Sequence, residues 1–264
     1  MIESSANAGV KQVIGLMEKS KNRKKENAFV VEGPRMVFET PVHLLKKVYV
    51  SESFDSGVEE EGKLLGFTQQ SVQVEEVTDK VMKAMTNTVT PQGILAVVEK
   101  PEYELSDLLT GTPLLLVLET IQDPGNLGTI MRTAEGAGVT GIIMSKDTVD
   151  LFSPKVVRST MGSLYRMPFY IAEDLQATIC ELKRQGITFF AAHLQGKKCY
   201  DEYDYKKPTA FLIGNEGNGL TDETAALADE KILIPMHGQL ESLNAAVAAS
   251  ILSYEAERIR RNSV

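Results

Sequence analysis

Short apolar runs alternate with amphipathic segments through residues 1–100. Runs rich in β-branched side chains predict strands, and apolar positions three or four residues apart predict helices. Pro34 suits the first turn of a helix, and Thr78 suits an N-cap. The predicted strands are 28–31, 46–51, 72–77 and 93–99, and the predicted helices are 7–18, 34–40 and 78–85. This alternation indicates a small α/β/α domain.

The alternation stops at residues 100–104, KPEYE, where proline and charges without periodicity predict a linker. It restarts with 113–119, a fully apolar run typical of a parallel strand covered on both faces. Further predicted strands are 141–145, 167–171, 188–193, 211–213 and 231–234, and further helices are 126–137, 154–161, 175–185 and an Ala-rich helix after residue 244. We therefore expect an α/β fold with a mostly parallel sheet and helices on both sides. The predicted division is 1–100 for the first domain, 101–111 for the linker and start of the second, and 112–264 for the second domain.

Composition limits the class of protein. The 264 residues are 43% hydrophobic and 24% charged, which is typical of globular rather than disordered chains. No apolar run approaches the roughly 20 residues that span a bilayer, and residues 1–12 lack the pattern of a signal peptide. We therefore expect a cytoplasmic protein with reduced Cys180 and Cys199. The cysteines and histidines lack metal-binding spacing, so no metal site is expected.

The charge distribution leaves two interpretations open. A formal net charge of −8 argues mildly against a nucleic-acid partner, because phosphate contacts require lysine and arginine. Five basic residues nevertheless fall within the short segment 19–25, which we expect to be a loop: Lys19, Lys21, Arg23, Lys24 and Lys25. This segment is either an ordinary solvated surface or a local basic patch on an acidic protein.

Several common catalytic and nucleotide-binding motifs are excluded. Gly136, Gly138 and Gly141 match the spacing of a dinucleotide-binding loop, but a helix precedes them and a strand follows, which is the reverse of the required order. These glycines are better explained as a helix end and a tight turn. The sequence contains neither a Walker-type phosphate loop nor the Gly-x-Ser-x-Gly elbow of many hydrolases.

Three polar blocks follow predicted strands, which is where open α/β sheets place ligands. The first is 123–128, DPGNLG, with Arg132 in the helix after it, and Asn126 is the expected N-cap of that helix. The second is 211–220, FLIGNEGNGL. The third is 234–236, IPM, followed by 241–244, ESLN, at the start of the Ala-rich helix.

Together, the order and spacing of these blocks resemble the SpoU (TrmH-like) family of RNA ribose 2′-O-methyltransferases in the SPOUT superfamily. Residues 153–162, SPKVVRSTMG, also fit this family. The resemblance extends from about residue 112 to the C-terminus, while 29–33, FVVEG, is similar to a substrate-binding domain with a ribosomal-protein-like RNA-binding fold. It implies S-adenosylmethionine (AdoMet) as cofactor, a deep trefoil knot and a homodimer with sites at the subunit interface. The small residues of this helix would let another helix approach closely, but the core of a monomer would also favour small residues there: Ala245, Ala246, Ala248 and Ala249.

The resemblance also implies roles for individual residues. Arg132 would contact the target 2′-hydroxyl, either as a base or as an electrostatic partner of the developing alkoxide. Asn126, Glu216, Ser242 and Asn244 would orient Arg132 or the ribose, with Glu216 pairing with Arg132. The implied AdoMet-binding residues are Leu194, Gly214, Asn215, Glu216, Gly217, Ile234, Met236, Leu243 and Asn244. The implied RNA-binding residues are Arg23, Lys24 and Lys25, with Arg158 nearer the active site.

The substrate is less specified than the reaction. The N-terminal domain favours large-subunit (23S) ribosomal RNA, because relatives that modify tRNA often lack this domain. Ribose methylation of tRNA remains open, as does ribosomal RNA methylation that confers antibiotic resistance. A protein of another class, a non-catalytic RNA-binding or ribosome-assembly factor, is disfavoured because the set of polar site residues is complete.

Overall fold

The structure, a computed structural model, describes residues 1–55, 57–240 and 242–263. The chain divides into two compact units. The first contains Met1–Glu102 together with Phe152–Tyr165, and the second contains Tyr103–Leu151 and the chain from Arg166 onward. A segment that the sequence analysis assigned to the second domain is therefore part of the first unit. Among the described residues, no helix has the length and apolar content needed to cross a membrane.

The first unit is built on a four-stranded mixed sheet. Its elements from residues 1–102 are α1 (Ala8–Glu18), α2 (Ser20–Glu26), β1 (Ala28–Glu32), α3 (Pro34–Glu39), β2 (Leu45–Ser51), α4 (Val58–Gln69), β3 (Gln73–Val77), α5 (Asp79–Met85) and β4 (Ile94–Glu99). The strand order is β1-β4-β2-β3; β4 is antiparallel to β1 and β2, and β3 is parallel to β2. The four predicted strands are all present. The helix α4 was not predicted, because among its residues only Phe67 is buried and its sequence has little apolar periodicity.

The basic segment forms the helix α2 rather than the expected loop. Arg23 explains the difference, because its side chain is buried at 4% exposure. Its Nη1 atom donates to the carbonyls of Leu16 at 2.5 Å and Met17 at 3.3 Å, in the last turn of α1. Carbonyl groups at a helix end lack partners within the helix, so Arg23 satisfies them and fastens α2 to α1.

Residues 152–165 join this first unit through specific contacts. They include helix α7 (Pro154–Thr160), which packs near β1. The Phe152 ring lies 5.0 Å from the Phe29 ring, and Thr40 Oγ1 donates to the Tyr165 hydroxyl at 2.7 Å. Burial raises the pKa of Tyr165 well above its ordinary value, so this hydroxyl stays protonated.

The second unit contains a seven-stranded parallel sheet. Its elements are β5 (Leu114–Leu118), α6 (Pro124–Gly136), β6 (Gly141–Ser145), β7 (Phe169–Ala172), α8 (Leu175–Arg184), β8 (Thr188–Ala192), β9 (Lys198–Cys199), β10 (Thr209–Ile213), α9 (Asp222–Ala226), β11 (Glu230–Leu233) and α10 (Ala245–Arg261). The order is β7-β6-β5-β10-β8-β11-β9, and every neighbouring pair is parallel. All five residues of β5 are buried, as expected for a strand covered on both faces. The predicted parallel α/β sheet is therefore confirmed, whereas the trefoil knot stays a prediction.

Helix α10 packs against α6 within the same chain. Ala245, Ala246 and Ala249 of α10 are buried, and Ser250 Oγ donates to Thr133 Oγ1 of α6 at 3.2 Å. The small residues of α10 therefore already serve a contact inside one chain.

The last turn of α10 is fastened by Arg260. Its guanidinium donates to four backbone carbonyls: those of Thr112 at 2.8 Å, Pro113 at 3.0 Å, Tyr205 at 2.9 Å and Lys207 at 2.9 Å. Burial lowers the pKa of Arg260, yet its ordinary value is so high that the group stays charged. One side chain thus joins the end of the last helix to the chain just before β5 and β10.

We expect Arg260→Met to lower the free energy of unfolding by about 2 kcal/mol, because four carbonyls lose a charged donor that is only partly replaced by water. Urea unfolding followed by circular dichroism measures this change. Arg261→Met is the matched control, since Arg261 is exposed and pairs with Glu257 on the surface. Its effect should stay within about 0.5 kcal/mol, and equal effects of the two variants would contradict the assigned role.

Candidate active site

Four adjacent strands bring the polar blocks of the sequence together. The strands β5, β10, β8 and β11 are consecutive in the sheet and parallel, so the loops after them leave from the same edge. These loops begin at Glu119, Gly214, His193 and Ile234 respectively. The carboxyl edge of a parallel sheet is where such folds bind ligands.

The loop after β10 is a closed backbone turn. Asn215 N donates to Gly219 O at 3.0 Å, and Gly219 N donates to Asn215 O at 2.9 Å. A Cβ atom on Gly214 would overlap the backbone of Gly219 and Leu220. Gly219 itself has a φ of +69°, a left-handed conformation that glycine adopts without strain. The glycines at these two positions are therefore required by the turn.

The Asn215 side chain joins this turn to the end of β5. Its Oδ1 accepts from the N–H groups of Gly217 at 2.8 Å and Asn218 at 3.1 Å, while its Nδ2 donates to Thr120 O at 2.8 Å. Thr120 has a φ of +56°, which is rare for a β-branched residue. Strained backbone of this kind is concentrated at functional sites.

Glu119 is a buried carboxylate that the sequence analysis did not identify. It is 5% exposed and directly follows β5. Oε2 accepts from Thr221 N at 2.8 Å, and Oε1 accepts from Thr221 Oγ1 at 2.8 Å and from Thr224 Oγ1. These donors offset the cost of removing the charge from water, and they fix the start of α9 just after the glycine-rich turn. The sequence did contain a signal for Glu119, because a charged residue at the end of a fully apolar run is unusual.

A hydrogen-bonded chain of three side chains connects the three sequence blocks. Asn244 Nδ2 donates to Asn126 Oδ1 at 2.8 Å, and Asn126 Nδ2 donates to Glu216 Oε1 at 2.9 Å. Glu216 also accepts from the backbone N–H groups of Gln122 at 3.1 Å and Asp123 at 3.0 Å. Partial burial would raise the pKa of Glu216, but these hydrogen bonds outweigh it and lower the pKa below its ordinary value. Glu216 is therefore an ionised, fixed carboxylate at neutral pH.

The two asparagines reach these positions through different helix starts. Asn244 is the N-cap of α10, and its Oδ1 accepts from Ala246 N at 2.9 Å and Val247 N at 3.3 Å. Asn126 is not the N-cap of α6, contrary to the prediction. Asp123 caps α6 by accepting from Asn126 N at 2.9 Å, and Pro124 occupies the first turn. The Asn126 amide is thereby left free for the side-chain network.

The sequence analysis predicted that Arg132 pairs with Glu216, but the two side chains form no ion pair in the structure. Arg132 lies six residues beyond Asn126 in α6, a rotation of about 240° around the helix axis, so the two side chains leave from different faces. Arg132 is exposed and forms no hydrogen bond or ion pair with the described part of the chain.

A cavity of about 320 Å³ opens among these loops, within the usual size range of small-molecule sites. Most of the residues predicted to bind the cofactor line it: Leu194, Gly214, Asn215, Glu216, Gly217, Ile234, Met236 and Leu243. Ser242 also lines it, as does His193, which the sequence analysis did not select. Asn126 and Asn244 reach the cavity wall through Glu216.

The residues predicted to bind RNA differ in accessibility. Lys24 and Lys25 are exposed on α2, whereas Arg23 is buried and occupied by carbonyls of α1. The structure therefore argues against Arg23 as an RNA contact. Arg158 is half-exposed, with its Nη2 atom 3.7 Å from Glu32 Oε2. Through the described ranges, no group of three or more His, Cys, Asp or Glu residues is arranged to hold a metal ion.

Comparisons with known proteins agree with this geometry. Residues 113–254 match the model of the SpoU rRNA Methylase family, and residues 7–96 match an MRM3-like substrate binding domain. The chain is 36% identical to the 23S rRNA (guanosine(2553)-2′-O)-methyltransferase RlmP of Bacillus subtilis, over 96% of this chain and 97% of that protein.

Two solved structures make the comparison more specific. The crystal structure of an AdoMet-bound rRNA methyltransferase from Sinorhizobium meliloti has a TM-score of 0.86 and 32% identity, covering 97% of each chain. The TrmH/SpoU tRNA modifying enzyme of A. aeolicus has a TM-score of 0.53 and 30% identity, but it covers 58% of this chain and 78% of its own.

The required glycine gives a test of the turn. We expect Gly214→Ala to open the turn, because the added methyl group overlaps backbone that cannot move aside like a flexible side chain. Hydrogen exchange at the amides of Asn215 and Gly219 should accelerate at least tenfold. Gly217→Ala is the matched control, since a Cβ there meets Asn215 Oδ1 at an ordinary 3.5 Å. Unchanged protection in Gly214→Ala would contradict the requirement.

Proposed function

The chain belongs to the SpoU rRNA methylase family, and we propose that it transfers the methyl group of AdoMet to a ribose 2′-hydroxyl of large-subunit ribosomal RNA. The observation that carries this proposal is the cavity at the carboxyl edge of the sheet, with Glu216 in its wall and the side chains of Asn126 and Asn244 hydrogen-bonded in series behind it. A relative that aligns over nearly the whole chain is named a 23S rRNA 2′-O-methyltransferase.

The residues around the cavity fit AdoMet. Leu194, Ile234, Met236 and Leu243 supply apolar walls, and the turn at 214–219 supplies backbone groups that can select adenine and methionine by hydrogen bonds. Glu216 places a negative charge in the wall, which suits a positively charged sulfonium. Gly214, Asn215, Gly217 and Asn244 hold the shape of this wall. When bound, AdoMet supplies an activated methyl group.

Arg132 is the proposed partner of the target hydroxyl. A guanidinium keeps its proton to a pKa above about 12, so stabilisation of the developing alkoxide, or orientation of the adjacent phosphate, is physically better founded than proton abstraction. Its lack of partners among the described residues leaves it available to RNA. Glu216 and Ser242 are proposed to orient the reacting groups from the cavity wall, with Asn126 and Asn244 holding Glu216 in place.

A homodimer would complete this site. The α10 residues Val247 at 46% exposure, Ile251, and Tyr254 at 50% exposure lie four and three residues apart, so they form one apolar stripe. A second copy that covers this stripe would lie close to α6, which packs on α10 and carries Arg132. We therefore propose that Arg132 of one copy serves the cavity of the other.

The first unit is proposed to bind the RNA. Residues 7–96 match a substrate-binding domain, and the tRNA-modifying relative covers a much smaller share of this chain, which favours ribosomal RNA over tRNA. Lys24, Lys25 and Arg158 are the proposed phosphate contacts. Since ribosomal RNA is the proposed substrate, we propose a cytoplasmic location. On the basis of the family match, we also propose a deep trefoil knot of the SPOUT type for the second unit.

Transfer of labelled methyl groups tests the function. The purified protein, labelled AdoMet and RNA from cells lacking this gene should yield 2′-O-methyl nucleosides in large-subunit ribosomal RNA, identified by mass spectrometry. Label in tRNA would keep the reaction but overturn the proposed substrate. Absence of both label and AdoMet binding would overturn the proposal and favour a non-catalytic RNA-binding protein.

In the same assay, Arg132→Ala should lower the rate of transfer at least a hundredfold, because the alkoxide loses its electrostatic partner, while the Kd for AdoMet stays unchanged. Arg184→Ala is the control, because Arg184 is exposed and, among the described residues, its side chain donates only to the carbonyl of Cys180 in its own helix, α8. A loss of less than about tenfold, equal to about 1.4 kcal/mol in the barrier, would exclude the assigned role.

The basic helix is tested by its salt dependence. Replacing Lys24 and Lys25 with Ser should weaken RNA binding about tenfold near 0.1 M salt, and should reduce the slope of log K against log salt by roughly 1.5, because two phosphate contacts are lost. Replacing exposed Lys206 and Lys207 with Ser changes the net charge equally and serves as the control. Equal effects of the two double variants would show that α2 is an ordinary solvated surface without a specific role in RNA binding.

A further inference from the structure

His193 lines the cavity but has no part in the functions assigned above. It follows β8 directly, and its backbone N–H donates to Ile232 O of β11 at 3.0 Å. Its Nδ1 accepts from Gln195 N at 3.0 Å. Because Nδ1 is used as an acceptor, the proton of the neutral ring is on Nε2. This Nε2–H has no hydrogen-bond partner in the part of the chain that the structure describes.

The cavity wall contains two ionisable side chains among its described residues, His193 and Glu216. Glu216 is ionised at neutral pH, so the charge of the wall depends on whether His193 is protonated. With a neutral imidazole the wall is negative, which suits a cationic sulfonium. With an imidazolium the wall has no net charge, and a positive group faces a positive ligand.

The surroundings of His193 favour the neutral ring. Partial burial lowers its pKa, and the positive charge of Lys231 on β11 acts in the same direction. The negative charge of Asp222, at the start of α9, opposes them without reversing the effect. Protonation would also convert Nδ1 into a donor that faces the Gln195 N–H, which removes the hydrogen bond now holding the loop after β8.

We propose that His193 is a cofactor-binding residue: its neutral ring offers the Nε2 proton to AdoMet, and protonation of this ring releases the cofactor. The inference rests on the proposed function, because it requires AdoMet as the occupant of the cavity. It assigns the acid limit of cofactor binding to one side chain rather than to general unfolding.

The direction of the pH dependence follows from linkage. A ligand that binds the neutral ring lowers the pKa of that ring further, so its affinity is constant at high pH and falls as the pH drops through the pKa of the free protein. This pKa lies below the ordinary value of 6.5, so the loss occurs below that pH. Each further pH unit should then cost up to about tenfold in Kd.

Isothermal titration with AdoMet and with S-adenosylhomocysteine, from about pH 7.5 to about pH 5.5, tests the proposal without measuring turnover. The wild type should lose affinity for AdoMet below about pH 6.5, by less than about tenfold over this range because the pKa of the free ring lies below 6.5. S-adenosylhomocysteine lacks the sulfonium charge, so its affinity should fall less. Equal losses for the two ligands would overturn the repulsion between the imidazolium and the sulfonium.

His193→Gln separates the role of the ring from its titration. Glutamine keeps an acceptor for Gln195 N and a donor for the cofactor but does not ionise in this range. We expect its Kd for AdoMet to change by less than about twofold between about pH 7.5 and about pH 5.5. His43→Gln, at an exposed histidine of the first unit, is the control and should keep the wild-type loss.

A ring titration by NMR provides a readout that does not depend on the variants. The resonance of His193 in the wild type should titrate below the ordinary range, and AdoMet should shift its pKa further down. A flat affinity profile, a His193→Gln profile like that of the wild type, or a ring pKa unaffected by AdoMet would overturn this inference alone. No AdoMet binding at neutral pH would instead overturn the proposed function.

Discussion

The geometry of the site depends on how the backbone is fixed where β5 and β10 end. Two side chains cross this edge: Glu119 holds the start of α9, and Asn215 holds both its own turn and the carbonyl of Thr120. Each satisfies backbone groups that would otherwise be left without partners beside a cavity. The close approach of Gly214 to the backbone of Gly219 and Leu220 leaves this edge little freedom. This side of the cavity therefore has little freedom to rearrange, and such preorganisation reduces the ordering cost of binding.

The polar groups around the cavity fall into two kinds. Asn126, Asn244 and Glu216 are fixed by mutual hydrogen bonds, two of them at helix starts and one in the glycine-rich turn. Arg132 is exposed and leaves α6 on a different face. A fixed wall suits a cofactor that always has the same shape, whereas a free, permanently charged side chain suits a large polyanion that must first be positioned. Helix α6 carries one group of each kind, Asn126 and Arg132, because a separation of six residues places them on different faces of the helix.

Much of the fold could be predicted because its strands are marked by apolar runs that no helix period explains. The errors occur where tertiary contacts decide between local alternatives. Residues 20–26 are helical because Arg23 donates to carbonyls at the end of α1, and no pattern within the segment contains that information. The α6 start was misassigned by three residues because Asp123 and Asn126 are both good N-caps, and the position of Pro124 favours the earlier one. In the site, the glycine-rich and asparagine-containing blocks were visible, but Glu119 and His193 are single residues whose importance appears only when strands distant in sequence become neighbours.

The contacts of Arg260 also have a consequence for the timing of synthesis. The carbonyl of Thr112 accepts a hydrogen bond from Arg260, which is synthesised 148 residues later. At about 5–20 residues per second, a ribosome needs about 7 to 30 seconds to make that stretch. During this interval β5, with five residues that are all buried in the finished sheet, has already been made, while β10 beside it and the last helix are still being added. For much of its own translation the nascent second unit therefore exposes the apolar residues of β5 and an unpaired strand edge, surfaces of the kind that favour aggregation. The strands of the first unit, by contrast, all lie within residues 28–99.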